Sequence, residues 1–250
     1  MKNKNFYNVV NKTKLIDIFK KNKIMADTYF GQLSSNSLSL DFTKQDVYNK
    51  LVNAAPWIKT EAHDAFTLYR RDANFSQELT SEGTKLFTTG NASTDRYGMV
   101  TTTGAGLGNK ISYKVHFKLN WTGSPVESAD KQLITWFIGN NPTENDHTRF
   151  NVTANNGNTT ITFYTVTVEG TTNRNIINTF EFDCNTNYAI ELLYDFDNHT
   201  LRIFINDEPV ATSPYYGGQV GYVQIGGTSQ APYKPQTSFT VKSIEIKGVE

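Results

Sequence analysis

Six apolar side chains stand at every second position between residues 111 and 121, and this run constrains the fold more than any other feature. Ile111, Tyr113, Val115, Phe117, Leu119 and Trp121 alternate with Ser112, Lys114, His116, Lys118 and Asn120. A period of two held this long is a strand with one buried and one solvated face. The alternation returns at Tyr188, Ile190, Leu192 and Tyr194, and again at Leu201, Ile203 and Ile205. Ile161–Val168 carries it with a one-residue slip predicted near Thr165. Phe239 and Val241 are out of phase with Ile244 and Ile246, which predicts a bulge between them. Further strands are predicted at 65–70, 84–88, 97–103, 132–138, 147–153, 174–182 and 219–226, punctuated by Gly, Asn and Asp. Long helical periodicity is missing, which argues against βαβ folds. The expected class is all-β, a two-sheet antiparallel jelly-roll sandwich with a short N-terminal arm and helix.

Charge divides the chain. Its 250 residues carry 24 basic and 24 acidic side chains, and one cysteine, Cys184. A single thiol excludes an internal disulfide and a Cys-based zinc site. No apolar run reaches the ~18 residues of a membrane helix, and no chain-wide basic surface exists for nucleic acid. Residues 1–24 hold seven Lys against Asp17, a net +6, so 25–250 carries −6. This segment lacks the apolar centre of a secretory signal. Leu15, Ile16 and Phe19 could form an apolar stripe on a basic helix. It reads as a solvated tail, as extra residues before a natural start at Met25-Ala26-Asp27, or as an anchoring arm. Thr43-Lys44-Gln45-Asp46 resembles a capping box, and Val47, Leu51 and Val52 follow at helical spacing, so a helix is predicted at about 43–54, ended by Pro56. Residues 34–39 read as a linker or edge segment. The expected organisation is an arm at 1–60 and a sandwich at 61–250, with 25–60 an extension of the main domain and not a domain of its own.

One hairpin suggests a family. Tyr188 to Val210 holds two amphipathic strands joined at Asp195–Thr200, then a tight Asn206-Asp207 turn before Pro209-Val210. This pattern resembles the laminin-G-like branch of the concanavalin A-like lectin/glucanase superfamily, with Asp207 where Gly is usual. The resemblance implies the jelly-roll fold and leaves function open, since such folds serve lectins, glycosidases and structural modules.

Catalysis finds little support. Glycosidases of this superfamily carry Glu-x-Asp-x-Glu on one strand, and alternation aims all three carboxylates to one face. Here the stretch is Glu181-Phe182-Asp183-Cys184-Asn185, and an amide cannot donate and recover the catalytic proton. His63, His116, His147 and His199 are scattered, no Gly-x-Ser-x-Gly elbow exists, and Cys184 has no motif around it. Gly104–Gly108 mimics a phosphate loop, but a strand follows it instead of a helix. No catalytic or metal-binding residue is assigned and no cofactor is expected. Calcium has two weak candidates in oxygen-rich turns, Glu181–Asn187 and Asp195, Asp197 and Asn198.

Glycan recognition is the alternative. Tyr215 and Tyr216 in Ser213–Gly218, Trp121, and Tyr233 in Ala231–Pro235 are the candidate glycan-binding residues, because loop aromatics can offer ring faces to sugars. A lectin-like sandwich with a basic arm and no export signal resembles virion components. The leading expectation is therefore a non-enzymatic virion structural protein: a bacteriophage head-decoration, fibre or tail surface component, made in the host cytoplasm. It would be a homo-oligomer docked to other virion proteins through residues 1–60, with cell-surface glycans as further partners. A soluble carbohydrate-binding module comes second and a glycoside hydrolase third.

Overall fold

The computed structural model describes residues 37–57, 66–70, 75–88, 95–102, 107–121, 131–139, 147–155, 158–169, 171–217, 222–229 and 237–250. In chain order these form β1 (Ser37–Asp41), helix α1 (Gln45–Asn53), β2 (Leu68–Arg70), β3 (Phe75–Thr80), β4 (Gly83–Thr88), β5 (Asp95–Thr102), β6 (Lys110–Trp121) and β7 (Lys131–Gly139). There follow β8 (His147–Asn155), β9 (Asn158–Glu169), β10 (Thr171–Glu181), β11 (Asn187–Asp195), β12 (Thr200–Ile205), β13 (Glu208–Pro214), β14 (Tyr222–Ser229) and β15 (Thr237–Gly248).

Two antiparallel sheets form, as the alternation requires. The first runs β13-β12-β11-β6-β15-β4-β3, with β1 also paired to β15, and the second runs β10-β9-β8-β7-β14-β5-β2. All six apolar positions of β6 face inward and are buried. Cross-strand pairs extend that face, with Ile190 opposite Val115 and Leu192 opposite Tyr113. Phe117 of the first sheet stacks on Phe150 of the second with centroids 5.8 Å apart, and Phe150 packs in turn on Phe163. Aromatic contact thus ties the two inner faces into one core.

The bulge expected in β15 lies between Val241 and Ser243. It lets β15 change partners along one edge, pairing with β4 over Phe239–Val241 and with β1 over Ser243–Lys247. Close approach demands glycine in both sheets. A Cβ on Gly83 (φ +139°) would meet the Val241 carbonyl oxygen at 2.2 Å, and one on Gly98 (φ +156°) would meet that of Ile225 at 2.4 Å. The 206–207 turn has positive φ at both residues, 52° and 68°, so Asp207 adopts the left-handed geometry without being glycine.

Two expectations are corrected, and the N-terminal elements follow them. β9 keeps its phase through Thr165, pairing residue by residue with β8. Val166 breaks the inward pattern because it sits on the outer face, buried there opposite His147. The capping box at Thr43 does not form: the N-cap is Lys44 without a side-chain bond, and Asp41 takes both the Thr43 amide (3.0 Å) and hydroxyl (2.7 Å). Finally, β1 joins the first sheet and Val47 and Leu51 of α1 enter the core, so residues 37–57 pack as part of the sandwich. The basic segment 1–24 lies outside the described residues.

Candidate functional site

Fold position separates the loop aromatics. Tyr215 is 5% exposed, its ring 4.8 Å from Tyr194 and 6.2 Å from Phe196 in T-shaped contacts, so it belongs to the core. Its neighbour Tyr216 is 80% exposed, with His199 at 5.3 Å. Trp121 is 7% exposed as the last inward residue of β6. Tyr233 lies outside the described residues. Of the candidates for sugar stacking, Tyr216 alone among the described residues presents an open ring.

The glucanase-like stretch has an architectural job. Asn185 sits at φ 67° beyond the end of β10 and clamps the end of β6. The Trp121 amide donates to Asn185 Oδ1 (3.0 Å), Asn185 Nδ2 donates to the Trp121 carbonyl (2.9 Å), and the Asn185 amide donates to the Leu119 carbonyl (2.7 Å). The side chain thus imitates a peptide in the strand ladder. Beside it, burial pushes the Cys184 thiol up to about 11, away from thiolate chemistry.

The oxygen-rich turn at 195–198 is bonded internally. Asp195 accepts from the Asn198 side-chain amide (2.9 Å) and backbone amide (3.1 Å), bonds that hold its carboxyl below the usual range, and Lys110 stands at 3.8 Å. Asn109 Nδ2 donates to Asp197 (2.9 Å), and the Asp183 amide donates to the Tyr188 hydroxyl (2.9 Å). At 195–198 a calcium ion would have to displace the donors to Asp195 and Asp197. Among the described residues no three His, Cys, Asp or Glu gather as a metal site.

The outer faces of the two sheets differ in chemistry. On the first, Lys114 pairs with Asp207 and lies 4.0 Å from Glu191, which accepts from Ser112 Oγ (2.5 Å), and Lys118 pairs with Glu82. On the second, Val223 and Ile225 enter the core, so Gln224 between them faces outward. The same parity places Arg149 and Asn151 outward on β8, and Thr162 and Tyr164 outward on β9. Arg149 is opposite Tyr164, with its guanidinium carbon 5.8 Å from the ring centroid, and Asn151 is opposite Thr162. Next along, Ile176 is opposite Tyr164 and Arg174 opposite Val166.

Chain passing beside β2 closes one end of this face. The Trp57 amide donates to the Arg70 carbonyl (2.8 Å) and Arg70 Nε to the Ala54 carbonyl (3.0 Å), holding the Trp57 ring 4.7 Å from Tyr222 and against Val100 and Tyr69. Toward the middle, Gln224 is 7% exposed, and its Oε1 has no hydrogen-bond partner. A buried, unpaired amide oxygen costs about 1–3 kcal/mol, a cost a ligand donor would remove. The seven strands of this sheet hold three carboxylates, Asp95, Glu169 and Glu181, each a terminal residue of its strand. Gln224, Asn151, Arg149 and Tyr164 are absent from the sequence-based candidates because alternation marks them merely as the wet side.

No protein-family model and no curated protein matches the chain. Solved structures do. It is similar to "Crh5 transglycosylase in complex with NAG" (TM-score 0.57, 10% identity, 89% of this chain and 87% of that one). It is similar to the Emp47p carbohydrate recognition domain (0.52, 13%, 88% and 100%) and to the β-glucanase of Bacillus licheniformis (0.51, 15%, 86% and 99%). A sialidase also overlays (0.52, 9%, 87% of this chain), and this chain spans 19% of that protein's length. The fold is thus the concanavalin A-like jelly roll found in both lectins and glucanases, and at these identities the likeness is one of fold.

Proposed function

We propose that this protein is a non-enzymatic, lectin-like glycan-binding domain that reads sugar on the outer face of the second sheet. The observation that carries this reading is the Gln224 amide oxygen, buried and unpaired on a face that also holds amides, hydroxyls, arginines and tyrosines. Sugar hydroxyls donate and accept at close spacing, which suits such groups. Hydrolysis needs two carboxyls about 5–9.5 Å apart across the bond to be cut. The strand interiors of this sheet supply none, which favours binding over cleavage.

A glycan array probed with the full chain tests this, in calcium and in EDTA. Binding in both conditions, weakened by Gln224→Ala with an unchanged melting temperature, is the expected result. Binding that survives Gln224→Ala but falls with Tyr216→Ala would move the site to the 215–217 loop. Sugar release from any bound polysaccharide would replace the lectin reading with an enzymatic one.

Display on a virus particle is a second reading, favoured by the +6 charge of residues 1–24 against −6 in the remainder. In it the basic segment docks to other particle proteins in a symmetric oligomer. Deleting 1–24 is then expected to abolish incorporation into particles, and unchanged incorporation would overturn it.

A further inference from the structure

The chain has six arginines, and four of them, Arg70, Arg96, Arg149 and Arg174, lie in strands of the second sheet, against one, Arg202, in the first. Of the eighteen lysines only Lys131 lies in a described strand of this sheet, so the concentration is a choice of guanidinium, not of charge alone. Arg149 and Arg174 share the outer face with Tyr164 and Val166 between them: Arg149 is opposite Tyr164, Arg174 is opposite Val166, and those two are neighbours in phase on β9. Two strand spacings across and two residues along put their Cα atoms about 12 Å apart. His147 is in the same row as Val166 and Arg174. The opposite end of the face, under Trp57, Tyr69 and Tyr222, is apolar and packed. Beside the arginines the surface stays open, with Arg174 exposed and Ile176 65% exposed.

The interiors of the described strands at this end carry no carboxylate, whereas on the first sheet each described outward lysine of β6 has an acidic partner. Guanidinium forks match carboxylate and sulfate oxygens in a bidentate manner. We propose, resting on the glycan-binding reading above, that the ligand is an anionic polysaccharide whose carboxylate or sulfate groups are held by Arg149 and Arg174, while Gln224 and Asn151 take the hydroxyls of the adjoining unit. Tyr164 and Ile176 then offer the apolar surface on which the ring between them rests. A nucleic acid is the rival polyanion. The amide and hydroxyl floor and the zero net charge of the chain favour sugar.

The test measures equilibrium binding of the full chain to polygalacturonate (carboxylate), heparin (sulfate and carboxylate), dextran and laminarin (neutral) and single-stranded oligothymidylate, at low and at 0.5 M salt. Expected is binding to one or both acidic polysaccharides, at least about tenfold tighter than to the neutral ones and weaker in high salt. Arg149→Gln and Arg174→Gln should each weaken it about tenfold, or about 1.4 kcal/mol. Arg174 is exposed, so its variant folds even if Arg149→Gln does not, and Arg174→Lys should recover part of the affinity through charge without the fork. Polygalacturonate and heparin distinguish the two anionic groups. Neutral glycans bound as well as acidic ones, with loss in Gln224→Ala and none in the arginine variants, would overturn the anionic assignment and keep the glycan reading. Oligothymidylate bound as tightly as either polysaccharide would overturn it as general polyanion affinity. Silence toward every probe would remove both.

Discussion

The two outer faces are built from the same strand geometry and reach opposite electrostatic ends. On the first sheet charges alternate in sign and close on one another, Lys114 with Asp207 and Glu191, Lys118 with Glu82. The second is short of acid, rich in arginine, and leaves a buried amide oxygen unpaired in its middle. Complementary charge on a surface solubilises; unmatched polar groups on a rigid sheet pre-organise for something else.

The strongest way to break this contrast is to remove what holds the faces in place. Phe150→Ala empties a fully buried site that touches Phe117 of the opposite sheet, and should cost about 3–5 kcal/mol in urea unfolding. A cost under about 1 kcal/mol would mean that the sheets do not share a core. Asn185→Ala comes next. It removes two side-chain bonds to Trp121 and puts a Cβ residue at φ 67° without them, for about 2–4 kcal/mol. Asn185→Gly should recover the backbone part, and equal losses in both variants would assign the whole effect to the clamp. The smallest effect belongs to the first face. Its Asp207 carboxyl is held below its ordinary 3.8 by the Lys114 ammonium, so that pair stabilises above this value and the contribution is lost as pH falls through the depressed one. Lys114→Met should leave glycan binding unchanged, keep the melting temperature near wild type at pH 7, and flatten the acid limb of stability against pH. A loss of binding in Lys114→Met would erase the distinction between the faces.

The sheets were legible because alternation is read from burial, and burial is what the apolar residues record. β6, β11 and β12 follow from it directly, and the β15 bulge follows from its one break. Alternation misled at Val166, where an apolar residue is buried on the outer face and imitates a slipped strand. β3 has too little contrast along Phe75-Ser-Gln-Glu-Leu-Thr to register. The candidate site was less legible for a related reason. Polar residues on the wet side look alike in sequence, and topology alone brings Gln224 of β14 and Arg149 of β8 onto one face, both in register with Phe137 of β7. Loop aromatics drew attention because they were conspicuous, yet Tyr215 is structural and Tyr216 beside it is not.

The place of β15 governs how the chain can assemble. It is the last strand in the chain order, yet it sits between β6 on one side and β4 with β1 on the other. Until it emerges from the ribosome, the first sheet exists as two separate pieces, β6-β11-β12-β13 and β3-β4, with β1 unpaired. Pairing Ser37 with Lys247 then closes a loop spanning nearly the whole described chain. Completion of the first sheet therefore waits for β15 and is slow once it starts, with open strand edges exposed meanwhile. In that interval the edges of β6 and β4 that β15 later covers are the ones open to mispairing.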